Sequence, residues 1–267
     1  MRRVVLARQI EIAAGPLRKY KSVMAHDVPT VSGEFPLTHW SAVFAAGKEG
    51  VANAEAALAA LCGTYWFPLY AFARRKGHQP ADAQDLTQSF FAYLIDARLV
   101  AKANPEQGRF RSFLLGCFTN FMASEKERAN AQKRGGGQFT VPLDWQQAEA
   151  RLAQEPSAEA KPERLFERHW ALAVLDAALV RLEAEFKKSG RQPLFEQIEP
   201  FLQGDDSGPS YTELAERLGT TEGTIKVTVH RLRQRYRQLL RVVVSQTVDS
   251  PLEIDSELAY LRTVLRG

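Results

Sequence analysis

The chain has 267 residues, 45% hydrophobic and 25% charged, which is ordinary for a soluble protein and enough for two small domains with cores of their own. Its net charge is +4, and no apolar run reaches the roughly 18 residues of a membrane span, which argues against a membrane protein. Cys62 and Cys117 form neither a CxxC pair nor a disulfide framework; both read as small core residues, which fits a reducing cytoplasm.

In chain order, the first 23 residues carry Arg2, Arg3, Arg8, Arg18, Lys19 and Lys21 against Glu11 alone. This leader lacks the apolar core and small-residue cleavage site of a secretory signal. Residues 1–35 therefore read as a disordered basic leader, or as an extension upstream of a true start at Met24. From there helical periodicity dominates and alternating β-branched runs are nearly absent, so the expected fold is all-α. Helices are expected at about 39–47, 52–75, 80–96, 109–131, 163–188, 193–203, 210–217, 221–245 and 253–265. The glycine run Gly135–Gly137 opens a stretch with Pro142, Pro156 and Pro162, expected to be a flexible interdomain linker over 135–162 that docks locally through Leu143 and Trp145. A second linker spans Gly204–Pro209. The expected domains are 36–134, then 163–245 with an N-terminal helical extension, and a helical tail at 246–267.

Two segments of the first domain bear on function. The helix opening at Pro80 has acids in its first turn and a stripe of Leu86, Phe90 and Leu94, with Asp82, Asp85 and Gln88 on other faces, available to a partner. The next helix interleaves Phe110, Phe113, Phe118 and Phe121 with Arg109, Arg111 and Asn120, then runs into Lys126 and Arg128. Aromatic faces stack on unpaired bases and arginines track a strand. Most of these phenylalanines nevertheless read as plain core, with a subset near Phe110 and Asn120 left for nucleic acid.

The segment Tyr211–Arg237 carries the strongest signal. Leu214, Ala215 and Leu218 share one face of a short helix, and Gly219 stops it. Thr220 or Thr221 caps the next helix, whose stripe runs Ile225, Val229, Leu232, Tyr236 and Leu239. Lys226, His230, Arg231, Arg233, Arg235 and Arg237 lie opposite. From Thr221 to Arg241 six lysines and arginines face Glu222 alone. This is the pattern of a helix-turn-helix, whose basic helix neutralises phosphates while its N-terminal end reaches base edges.

Together, Asp82–Gln88, Phe110–Leu114 and Tyr211–Arg237 with its Gly223–Lys226 core resemble the extracytoplasmic-function group of sigma-70 family RNA polymerase sigma factors. The resemblance covers roughly 60–135 and 165–243. It implies two helical domains, a sigma region 2-like bundle and a sigma region 4-like helix-turn-helix, joined by the linker. It implies core RNA polymerase (β′ and β subunits) and promoter DNA as partners, and allows an anti-sigma protein or other regulator. Asp82, Asp85, Gln88 and Phe91 would grip the polymerase. Arg109, Phe110, Arg111, Phe113, Asn120, Lys126 and Arg128 would melt and read the −10 element. Tyr211, Thr221, Thr224, Lys226, Val227, His230, Arg231 and Arg233 would read the −35 element. Three positions depart from the usual pattern: Gly116 where arginine is common, Phe113 where tryptophan is common, and Val227–Thr228 where Ser–Arg is frequent. The bases read therefore do not carry over. Residues 163–203 exceed a minimal factor, as does the tail, and read as core extension ahead of a regulatory surface.

An enzyme is the reading of a different class. His26, His39, His78, His169 and His230 show no metal-ligand spacing, and no GxSxG, HExxH or nucleotide fingerprint occurs. No catalytic residue, metal or cofactor is expected. The nearer rival is a helix-turn-helix regulator that binds duplex DNA without polymerase. It has no need of the 82–94 and 110–120 pair.

Overall fold

In a computed structural model the described residues are 53–96, 109–131, 145–153, 161–202, 209–248 and 250–266. The expected helix at 39–47 and the leader lie outside them, as does most of each linker. The fold is all-α, with no strand among the described residues. In order the helices are α1 (Asn53–Arg75), α2 (Pro80–Asp96), α3 (Phe110–Ala131), α4 (Trp145–Ala153), α5 (Pro162–Lys188), α6 (Gln192–Ile198), α7 (Tyr211–Arg217), α8 (Glu222–Ser245) and α9 (Ile254–Arg266). Short 3-10 turns at Glu199–Leu202 and Pro251–Glu253 follow α6 and precede α9. Pro200 has no N–H to donate, and the α-ladder of α6 gives way there to the 3-10 turn, short of the expected 193–203.

The chain divides into two compact units, and the division falls within α5, after Ala173. The first unit is built on aromatic rings. Tyr65, Tyr70 and Phe72 of α1, Phe90 and Phe91 of α2, Phe110 and Phe118 of α3, and Phe166 and Trp170 of α5 are all fully buried. Phe118 meets Phe90 at 4.9 Å and Phe72 at 6.3 Å between centroids, and Tyr65 meets Phe110 edge-on at 5.6 Å. Such edge and tilted pairings suit the ring quadrupoles. Cys62 is part of this core, and burial pushes its thiol up to about 12. Cys117, expected inside as well, is only half-buried.

The first linker contains structure. Helix α4 begins at Trp145 and buries Ala148. Trp145 packs on Trp66 and Tyr70 of α1 at 5.4 and 5.2 Å. Glu149 accepts from Tyr70 Oη (2.6 Å), Arg74 Nε (2.8 Å) and an Arg74 terminal nitrogen (3.1 Å). Docking through Trp145 matches expectation; a helix there does not. Its nine residues form too short an apolar pattern to stand out from a proline-rich stretch, and they are held by specific partners on α1.

The second unit is mainly aliphatic. Leu214, Ala215, Ile225, Val229, Leu232, Leu239 and Leu240 are buried, with Leu175, Ala178 and Leu182 of α5 and Phe195 and Ile198 of α6. Tyr236 is buried among them and donates to the carbonyl of Leu175 at 3.2 Å. Leu258, Leu261 and Leu265 of α9 are buried in the same unit.

Candidate nucleic-acid interface

The helix-turn-helix is set by local chemistry. Ser210 caps α7: its hydroxyl accepts from Glu213 N at 3.1 Å, and Glu213 accepts from Ser210 N at 2.7 Å. This reciprocal box satisfies two otherwise orphaned N–H groups. Gly219, at φ 62, ends α7 in the left-handed region. Its N–H bonds Glu216 O, and Thr220 N bonds Ala215 O, a Schellman turn. Leu218, expected inside, stands exposed at this C-cap. Thr221 then caps α8, its hydroxyl accepting from Thr224 N at 3.2 Å.

Helix α8 shows one face of Gly223, Lys226, Val227, His230 and Arg231, all exposed. The spacing of three, one, three and one places them along a single ridge opposite the buried stripe. Val227 is 49% exposed, an apolar group standing between cations. Thr221 and Thr224 flank the ridge, their hydroxyls 2.8 Å apart. Among the described residues no ion pair or hydrogen bond engages the side chains of His230 and Arg231.

Further along the helix the basic residues are engaged internally. Arg233 forks onto Phe201 O with nitrogens at 2.8 and 3.2 Å. Arg235 grips Glu185 with two nitrogens and holds its carboxyl below the usual range. Arg241 pairs with Asp255. The face expected to offer cations down to Arg237 therefore offers them mainly at its N-terminal end. Arg233 in particular is half-buried and two of its nitrogens hold the extension. A periodic count could not show this, because the partners lie on α5, on the 3-10 turn and on α9.

Tyr211 stacks on Phe201 at 4.9 Å and 16°, and its ring lies 6.0 Å from Lys226 Nζ. Lys226 pairs with Glu222, and the hydroxyl of Thr212 donates to the second Glu222 oxygen at 3.2 Å. These bonds raise the Lys226 pKa and lower that of Glu222. Neither the Phe201 stack nor the pairing of Glu222 with Lys226 was expected here. An acid four residues before a lysine, at a helix start, was the available signal.

In the first unit Asp82, Asp85, Asn120 and Lys126 are exposed, while Gln88, Arg109 and Phe113 are half-buried. The side chain of Arg128 lies outside the described residues. Phe91 and Phe110 are buried in the aromatic core. Arg111 is 5% exposed; its Nε bonds Glu167 at 2.8 Å and its guanidinium lies 4.3 Å over the ring of Trp170. Phe91, Phe110 and Arg111 thus face the core.

With this geometry in place, comparison with known proteins finds a similar chain, the ECF RNA polymerase sigma factor SigE of Mycolicibacterium smegmatis, 28% identical over 183 residues. The likeness supports an extracytoplasmic-function sigma factor assignment. It covers 68% of this chain and 61% of SigE, so the matched region spans less than two thirds of that relative. No family profile and no solved structure matches. No described helix is long and apolar enough to cross a membrane.

Proposed function

We propose that the chain is a sigma factor that binds core RNA polymerase, recognises −35 and −10 promoter elements and promotes strand opening, without covalent chemistry, in the cytoplasm. The observation that carries this reading is the outward ridge of Lys226, Val227, His230 and Arg231 on the second helix of a capped helix-turn-helix. Such a ridge supplies phosphate neutralisation and base-edge contact, with Val227 suited to a thymine methyl. The likeness to a sigma factor adds the polymerase as partner.

In this reading 36–134 is the region 2-like domain, and Asp82, Asp85 and Gln88 of α2 contact polymerase. The exposed residues of α3, Asn120 and Lys126, with Arg109 and Phe113 at its start, meet the −10 strand. Phe91, Phe110 and Arg111 support them from inside. Residues 163–245 carry the −35 reader, where Thr221, Thr224 and Tyr211 flank the ridge and Arg233 braces it.

The test is reconstitution. The purified chain added to sigma-free core polymerase should direct start-site-specific RNA synthesis on cognate templates and co-purify with the polymerase. Tight, sequence-specific duplex binding by the chain alone, with no polymerase association, would instead identify a helix-turn-helix regulator.

A further inference from the structure

Glu222 is the only acid between Thr221 and Arg241, and it stands in the first turn of α8; the N-terminal end of a recognition helix is the part that contacts base edges. Its Oε1 holds Lys226 Nζ at 2.5 Å, and its Oε2 accepts from Thr212 on the preceding helix. The Tyr211 ring flanks the ammonium, and Phe201 stacks behind that ring. Lys226 thus sits in a cradle built from both helices of the motif and from the extension. Stability does not account for the cradle. Both charged groups are largely exposed, and exposed ion pairs add little to a fold. Gly223, next in sequence, has no internal reason to be glycine. A Cβ there would meet only Thr221 Oγ1, at 3.9 Å, and its φ is not in the left-handed region. A bare backbone in a helix costs stability relative to alanine, which suits a place where another surface comes close.

A carboxylate on a polyanion-binding surface has two effects. It repels phosphate, and it ties down a cation that would otherwise bind any duplex. It is compensated only where a donor reaches it. The base-edge donors of the major groove are the exocyclic amino groups of cytosine and adenine.

We propose that Glu222 is a specificity-determining residue of the reader: by holding Lys226 and presenting a carboxylate, it lowers affinity for generic duplex and favours sites that place a cytosine or adenine amino group against it. The proposal rests on the reading of α8 as a major-groove helix, and it gives the extension a role, because Phe201 backs the ring that flanks Lys226.

The experiment uses the full chain, alone and with core polymerase, with two probes: a mixed-sequence duplex of roughly 30 base pairs titrated by anisotropy across salt, and a random-sequence duplex library for selection. Glu222→Gln keeps the shape and removes the charge. It should bind the mixed-sequence duplex several-fold more tightly, with a salt slope steeper by about one. Its selected motif should lose preference at one position. Lys226→Met in the Glu222→Gln background should return generic affinity to the wild-type level or below. Thermal unfolding should not move. If wild type selects a motif and Glu222→Gln selects the same one, with unchanged generic affinity and slope, the role of Glu222 is overturned and the reader stands. If wild type shows neither salt-dependent binding nor a motif in either state, both fall together.

Discussion

Helices α3 and α8 carry similar residues to opposite ends. Each interleaves arginines with large apolar side chains, and each reads in sequence as a nucleic-acid helix. In α3 the arginine at 111 turns inward, onto a tryptophan face and a carboxylate, while in α8 the arginine at 231 turns outward and meets nothing among the described residues. The difference lies in what lies across from them. An aromatic core with an acid at its rim absorbs a guanidinium, through cation–π contact and a charge-assisted bond. Arg231 stands on the face of α8 opposite its buried stripe and stays in water.

The largest effects should come from breaking the inward case. Trp170→Ala removes a fully buried indole and should cost about 3–5 kcal/mol, read as a lower midpoint in denaturant unfolding. Arg111→Ala should cost about 2–3 kcal/mol, because it strips a cation–π partner and leaves the Glu167 carboxylate, largely buried, without its bond. Both losses should be of stability. At a temperature where the variant is folded, upstream-element binding should persist. A selective loss of −10 element use with unchanged stability would instead place Arg111 on the strand.

The outward case should give the reverse. Arg231→Ala and Lys226→Ala should leave unfolding unchanged and impair −35 element use, with polymerase association intact. Each should lower the salt slope of duplex binding by about one at most. If either variant loses core polymerase binding first, α8 is not the reader. Arg235→Ala sharpens the contrast within one helix. Its partner is Glu185, so it should cost about 0.5 kcal/mol of stability and leave the salt slope alone.

This split also marks what the sequence made legible. The all-α fold, most helix bounds, the Gly219 turn and the buried stripe of α8 follow from periodicity and local capping, which act within a few residues. The engagement of Arg233, Arg235 and Arg241 is set by residues 14 to 50 positions away, on other elements. The pattern of the helix itself therefore holds no trace of it. Helix α4 was hidden for the same reason: Trp145 and Glu149 matter through partners on α1, 75 to 79 residues earlier. Asp82, in the first turn of α2, and Asp85, in its second, are both exposed as expected.

The smallest effect concerns α4, whose docking should depend on pH at both extremes. Arg74, and less strongly Tyr70, hold the Glu149 carboxyl below its ordinary value of 4.5. A carboxyl depressed in the folded state contributes stability above 4.5, and loses it as pH falls through the depressed value. Tyr70 moves the other way: burial first, then its bond to Glu149, raise it from 10.0 to about 12. Its contribution is complete below 10.0 and lost as pH rises through about 12. Tryptophan fluorescence, sensitive to the Trp66–Trp145 contact, should therefore be flat between these ranges and change outside them. Glu149→Gln should remove the acid-side change and leave most of the alkaline one, because burial of Tyr70 remains. An acid transition identical in Glu149→Gln would mean that the Arg74–Glu149 pair does not hold α4 in place.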